Sequence, residues 1–287
     1  MRRLAAALLC FAAGAAAAEP EARWYLQMDN DFFFGTDRAY SSGLRLARVA
    51  GAGPVQVEWG VLQEVYSPEG KYWRAGTDDR APTARLLLYG ARHRQSPGVF
   101  DTLELAIGVR GPSALGEQVT DIAHKWADAA EVDWSRQERD ELDVQLAAVR
   151  SHAVGGFHLH YGAVAGNQQA FAHGAVEWRH GTGAAAAALS PVLRFAATPP
   201  PTPAAAGWAV FAGAGVRGVA RNAMIERNYD PFGPELEPRR AVGRAAAGIA
   251  WVGAWGAAAF ALAVDSREFD AQREPQAFGS LTLHVRF

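Results

Sequence analysis

The chain of 287 residues carries a formal net charge of -2 at pH 7 and is 49% hydrophobic, with a mean hydropathy of -0.09. So balanced a charge gives no electrostatic footprint for nucleic acid as a partner. Past the N-terminal segment no run of about 18 apolar residues is free of charges or turn formers; this excludes spanning helices but not spanning strands, whose apolar residues sit in alternate positions.

The N-terminus has the layout of a secretory signal peptide. Arg2 and Arg3 form a positive n-region, the stretch from Leu4 to Ala13 an apolar h-region, and Ala16-Ala17-Ala18 before Glu19 a small-residue cleavage site. Residues 1–18 are expected to be removed, leaving 19–287 as one exported domain. The only cysteine, Cys10, lies inside the signal, after Leu8 and Leu9 and away from a lipoprotein position. The mature chain then has neither a disulfide framework nor a thiolate metal site, which suits a bacterial envelope.

A period of two dominates the chain beyond the signal. Val55, Val57, Trp59 and Val61 alternate with Gln56, Glu58 and Gly60, and Leu281, Leu283, Val285 and Phe287 with Thr282, His284 and Arg286. The same pattern predicts strands over 24–29, 42–49, 84–89, 102–109, 157–165, 174–180, 189–196, 210–220, 244–252 and 257–264. One face of these segments mixes charge with glycine and alanine, whereas a soluble sandwich would turn an apolar face inward. Trp and Tyr near strand ends suit interfacial girdles, although a soluble core uses them as well. The terminal Phe287 resembles the assembly signal of bacterial outer-membrane proteins, which makes the barrel-assembly machinery the expected partner during biogenesis. The expected fold is all-β: an antiparallel transmembrane β-barrel of about twelve strands in the outer membrane.

Two loops and one helical excursion interrupt the strands. Pro199, Pro200, Pro201 and Pro203 force a loop over 197–205, and 222–238 is polar and proline-bearing. From Pro112 to Leu142 helix formers replace the alternation, with Ser113 as the expected N-cap and Glu117 and Gln118 in the first turns. On such a helix Asp121, His124 and Asp128 share a face.

Polar residues concentrate near the mature N-terminus: Asp29-Asn30-Asp31, Thr36-Asp37-Arg38 and Tyr40-Ser41-Ser42-Gly43. Carboxylate and amide oxygens are the ligands of a hard cation such as calcium, and the same residue types are also turn formers. His124 has the chemistry of a general base near neutral pH, oriented by Asp121 or Asp128, or is an ordinary surface histidine. The sequence holds no Gly-x-Ser-x-Gly elbow and no His-Glu-x-x-His zinc motif.

The blocks Asp29–Leu46, Val65–Gly70, Asp78–Gly90, Gly111–His124, Trp134 with Gln137, and Ala165–Gln168 resemble, in order and spacing, those of the outer-membrane lipid A 3′-O-deacylase family. The resemblance implies a twelve-stranded barrel, calcium dependence, and a site between the barrel wall and an extracellular-loop helix. It implies lipid A of lipopolysaccharide as substrate, in the outer membrane, and removal of its 3′-linked acyl group. By residue, Asn30 and Asp31 match the family's Asn-Asp pair and would hold the ion, Ser41 replaces a threonine, and His124 matches the catalytic histidine. Lys71 or Arg74 matches a basic residue that meets lipid A phosphate, and Asp128 or Glu131 a supporting acid, with Ala130 in direct register. An outer-membrane phospholipase and a non-catalytic barrel or porin are the alternatives.

Overall fold

Alternation produces a barrel when the first strand pairs with the last. The computed structural model describes residues 23–36, 38–51, 53–68, 79–128, 132–182, 192–195, 206–226 and 236–286. Its strands are β1 Arg23–Asn30, β2 Ala39–Ala50, β3 Val55–Ser67, β4 Thr83–Ser96, β5 Val99–Arg110, β6 Glu141–Val154, β7 Phe157–Gly166, β8 Gln169–His180, β9 Gly207–Asn222, β10 Ala241–Gly253, β11 Gly256–Asp265 and β12 Gln276–Arg286. Each pairs antiparallel with its sequence neighbours and β1 pairs with β12, so the barrel is closed. Closure leaves no edge, which satisfies the backbone where the surroundings are hydrocarbon. No described helix is long and apolar enough to cross a membrane; the strands do the crossing.

The two faces follow sequence parity. On β1, Tyr25 and Asp29 are buried inward while Trp24 and Met28 are exposed outward. Leu44, Leu46, Leu88, Val216 and Ile249 continue the exposed apolar exterior. Trp24, Trp178, Trp208, Trp251 and Trp255 are exposed toward the rim that carries both strand termini and the two-residue turns at 97–98 and 155–156. An aromatic girdle and mostly short turns mark that rim as periplasmic, the one long connection there being 181–206, whose described residues 192–195 lie inside the barrel; most of the longer loops are at the opposite, extracellular rim.

The lumen is packed with ion pairs. Arg45 reaches Glu104 at 2.8 Å and lies 4.5 Å over the Tyr89 ring. His93 bridges Thr102 at 3.0 Å and Glu58 at 3.1 Å, and Arg244 grips Asp265 at 2.5 and 2.6 Å. The outside of the wall faces hydrocarbon, so these charges are paired within it.

Three sequence expectations need correction. Of the strand expected over 189–196, the described residues 192–195 are not strand: Val192–Arg194 is a 3₁₀ turn, with Val192 and Leu193 buried inside the barrel against Phe211, Ala246 and Phe278. Arg244 donates to the Val192 carbonyl at 2.9 Å and stacks 4.8 Å from Phe195. The alternating apolar residues there serve a segment folded into the lumen. Conversely, β6 lies where the helical reading ended. Ser113 does not cap the helix either; its backbone N–H and hydroxyl both donate to Asp140, at 2.8 and 2.6 Å. The signal segment, the loop 197–205 and Phe287 lie outside the described residues.

Candidate active site on the outer wall

The extracellular loop between β5 and β6 builds a lid on the outside of the barrel. A 3₁₀ turn, Pro112–Ala114, leads through Leu115 in the left-handed region into helix α1, Gly116–Ala127. Gly116 is required: a Cβ there would lie 2.5 Å from Ala84 Cβ and 2.8 Å from the Trp134 ring. That close approach seats the start of α1 on the outer face of β4. Trp134, Val132 and Ala114 then bury against Val65 and Ala84, outward residues of β3 and β4. Burying one Trp removes about 200 Å² from water, worth about 5 kcal/mol at most.

Polar ties hold both ends of the lid. Gln63, also outward on β3, donates to the Ala114 carbonyl at 2.7 Å. Arg110 pairs with Glu138 and, at 3.0 Å, with Glu141, and donates to the Ala223 carbonyl at 2.9 Å. At the neighbouring turn, the Gln168 amide donates to Glu141 and to the Leu142 carbonyl, each at 3.0 Å. Farther around the extracellular rim, Glu268 meets Arg80 at 2.6 Å and also Arg217. Burial opposes its ionisation, but these two guanidiniums outweigh burial and hold the carboxyl below its ordinary 4.5.

Beside the lid, a β-bulge places Ser41. Tyr40 pairs with Tyr66 and Ser42 with Val65, so Ser41 is the extra residue on β2. Its hydroxyl bonds the Ser67 hydroxyl at 2.9 Å and the Val65 carbonyl at 3.3 Å. Tyr40 goes the other way, into the lumen, where its hydroxyl donates to Asp29 at 2.8 Å. Asn30 pairs with Ser42 on the outward row of β1 and β2. Its amide oxygen accepts the Phe32 N–H at 2.7 Å, capping the 3₁₀ turn Asp31–Phe34. Asp31 is buried and accepts from the Arg38 N–H at 2.8 Å and the Thr36 hydroxyl at 3.1 Å.

His124 stands half-buried in the last turn of α1. Asp128 is the exposed C-cap, left-handed with φ 50°, and its N–H bonds back to the His124 carbonyl. Lys71, Arg74 and Glu131 lie outside the described residues. Leu115, Val119, Ile122 and Trp126 form an exposed apolar stripe along α1, with Trp126 91% exposed. Among the described residues no group of three His, Cys, Asp or Glu side chains could hold a metal. Asn30 and Asp31 supply hard oxygen donors of the kind calcium accepts.

The model of the family described as outer membrane protein LpxR matches residues 4–287. The chain belongs to the LpxR family. LpxR from Salmonella typhimurium is similar in fold, with a TM-score of 0.78 at 19% identity over 92% of this chain and 100% of that one. The translocator domain of the autotransporter NalP from Neisseria meningitidis, 10% identical over 100% of this chain and 95% of that one, has a TM-score of 0.48. No curated protein matches the chain. Membership in the LpxR family places the barrel in the bacterial outer membrane.

Sequence reasoning missed Ser67, Gln63 and Gly116. The first two lie at outward parity on β3, where polar residues replace the valines nearer the periplasmic rim. That change in the outward row was the available signal.

Proposed function

We propose that this member of the LpxR family is a lipid A 3′-O-deacylase that works on the outside of its own barrel. The observation that carries the reading is the lid: a loop-borne helix holding His124 is seated on the outer wall next to the Ser41–Ser67 bulge. The apolar stripe of α1 and the outward Leu44 and Leu46 offer a surface for acyl chains at membrane level. A lumen filled by ion pairs and by residues 192–195 speaks against a wide aqueous pore.

In this mechanism His124 takes a proton from water as the water oxygen attacks the ester carbonyl carbon. The bond from that carbon to the sugar oxygen then breaks, and His124 returns the proton to the departing 3′ oxygen. Ser41 donates a hydrogen bond to the substrate, and Asp128 or Glu131 steadies the imidazole. Lys71 or Arg74 meets a lipid A phosphate. Asn30 and Asp31 would hold a calcium ion, which supplies Lewis-acid stabilisation of negative charge on the carbonyl oxygen.

The test is fatty-acid release by the purified, folded barrel from lipid A and, separately, from phosphatidylethanolamine, with calcium and with a chelator. Release from lipid A alone, lost on chelation and in His124→Ala, supports the reading. Release from the phospholipid alone makes the protein a phospholipase, and release from neither overturns hydrolysis.

A further inference from the structure

A second lipid-facing feature lies at the opposite rim, away from the lid. Arg94, Asp101, Arg150 and Tyr161 form one cross-strand row from β4 to β7. Arg92, Leu103 and Ala148 form the next row toward the membrane centre. All share outward parity, and together with Gly162 they border a groove of about 450 Å³. Arg150 grips Asp101 through Nε at 2.6 Å and Nη2 at 3.0 Å, which fixes that guanidinium at the groove's edge. The groove holds three guanidiniums against one carboxylate, so its charge is positive.

Depth and shape make this more than a basic girdle. Arg94 sits two residues from the end of β4 at Ser96, beside the short turn at 97–98. A guanidinium on the lipid face is costly at the bilayer midplane and tolerated near the interface, so the row marks headgroup depth in the periplasmic leaflet. The small outward Ala148 leaves room there, while Leu103 and Leu146 continue the exposed apolar exterior above. Guanidinium forks match phosphate oxygens geometrically, and the hydrocarbon-facing wall continues directly into the groove.

We infer that this groove binds one anionic glycerophospholipid of the periplasmic leaflet, its phosphate between Arg92, Arg94 and Arg150 and its acyl chains along Leu103 and Leu146. The site is separate from the lid and does not depend on hydrolysis. Native mass spectrometry of the full-length barrel, released from mixed micelles of phosphatidylglycerol and phosphatidylcholine, tests it directly. One phosphatidylglycerol should stay bound per barrel in preference to phosphatidylcholine, and Arg92→Gln with Arg94→Gln should lower its retention about tenfold. Should that double variant fail to show the heat-modifiable mobility of a folded barrel, Ala148→Phe, which fills the groove without changing charge, decides by the same loss. Equal retention of the two lipids, or unchanged retention in the deciding variant, overturns the site.

Discussion

On the lumenal face of β2 to β5, Arg45, Glu58, His93, Thr102 and Glu104 satisfy one another at 2.8 to 3.1 Å. On the outer face of the same wall, Ser41 bonds to Ser67 and to the Val65 carbonyl, and Gln63 donates to the lid at Ala114. The inner set is buried, and the cavity beside it, lined by Asp29, Tyr40, Arg45 and Arg244, is only about 90 Å³, room for a few waters. The outer set lies on the membrane side of the wall. A histidine inside this barrel, such as His93, is tied into the scaffold, whereas in the proposed function the chemistry falls to His124 on the lid helix.

Substitutions can break that contrast. His124→Ala should lower ester hydrolysis by about 10² to 10⁴ while the barrel keeps its heat-modifiable mobility. Glu104→Ala should do the reverse: stranding Arg45 in the lumen costs about 3–5 kcal/mol, read as a lower urea midpoint, with the turnover of the folded fraction unchanged. If Glu104→Ala removed activity from fully folded protein, the division between scaffold and site would be wrong.

Gly116→Val probes the seat of the lid. The added side chain enters the space between Ala84 and Trp134, which should cost about 1–3 kcal/mol of packing and lower the rate by displacing α1. A variant with the same stability loss and an unchanged rate would separate helix position from activity. The smallest effect expected is at Glu268, on the extracellular rim. Its folded-state carboxyl titrates below the ordinary 4.5, so its contribution to stability is full above that value and is lost as pH falls through the depressed folded pKa. Urea midpoints measured below pH 4.5 should depend less on pH in Glu268→Gln than in the parent.

Much of the wall was legible because lipid on one side and charge on the other impose a strict period of two. The errors came where that contrast weakens. In β6 the inward Ala147 and Val149 and the outward Leu146 and Ala148 make both faces apolar, so the helix-forming stretch before it hid the strand. In the expected strand 189–196, Val192 and Leu193 are apolar where they fill the lumen, a demand no local pattern separates from facing lipid. At the site, Asn30, Asp31, Ser41 and His124 were picked out by motif order. The bulge that turns Ser41 outward and the close approach at Gly116 were not, since both arise from pairing between distant segments.

The most direct test is mass spectrometry of lipid A from cells carrying the parent protein or His124→Ala, with equal amounts of each folded in the outer membrane. The account expects a species lacking the 3′-linked acyl group with the parent and unmodified lipid A with the variant. Unmodified lipid A with both, or the same loss with both, would contradict it.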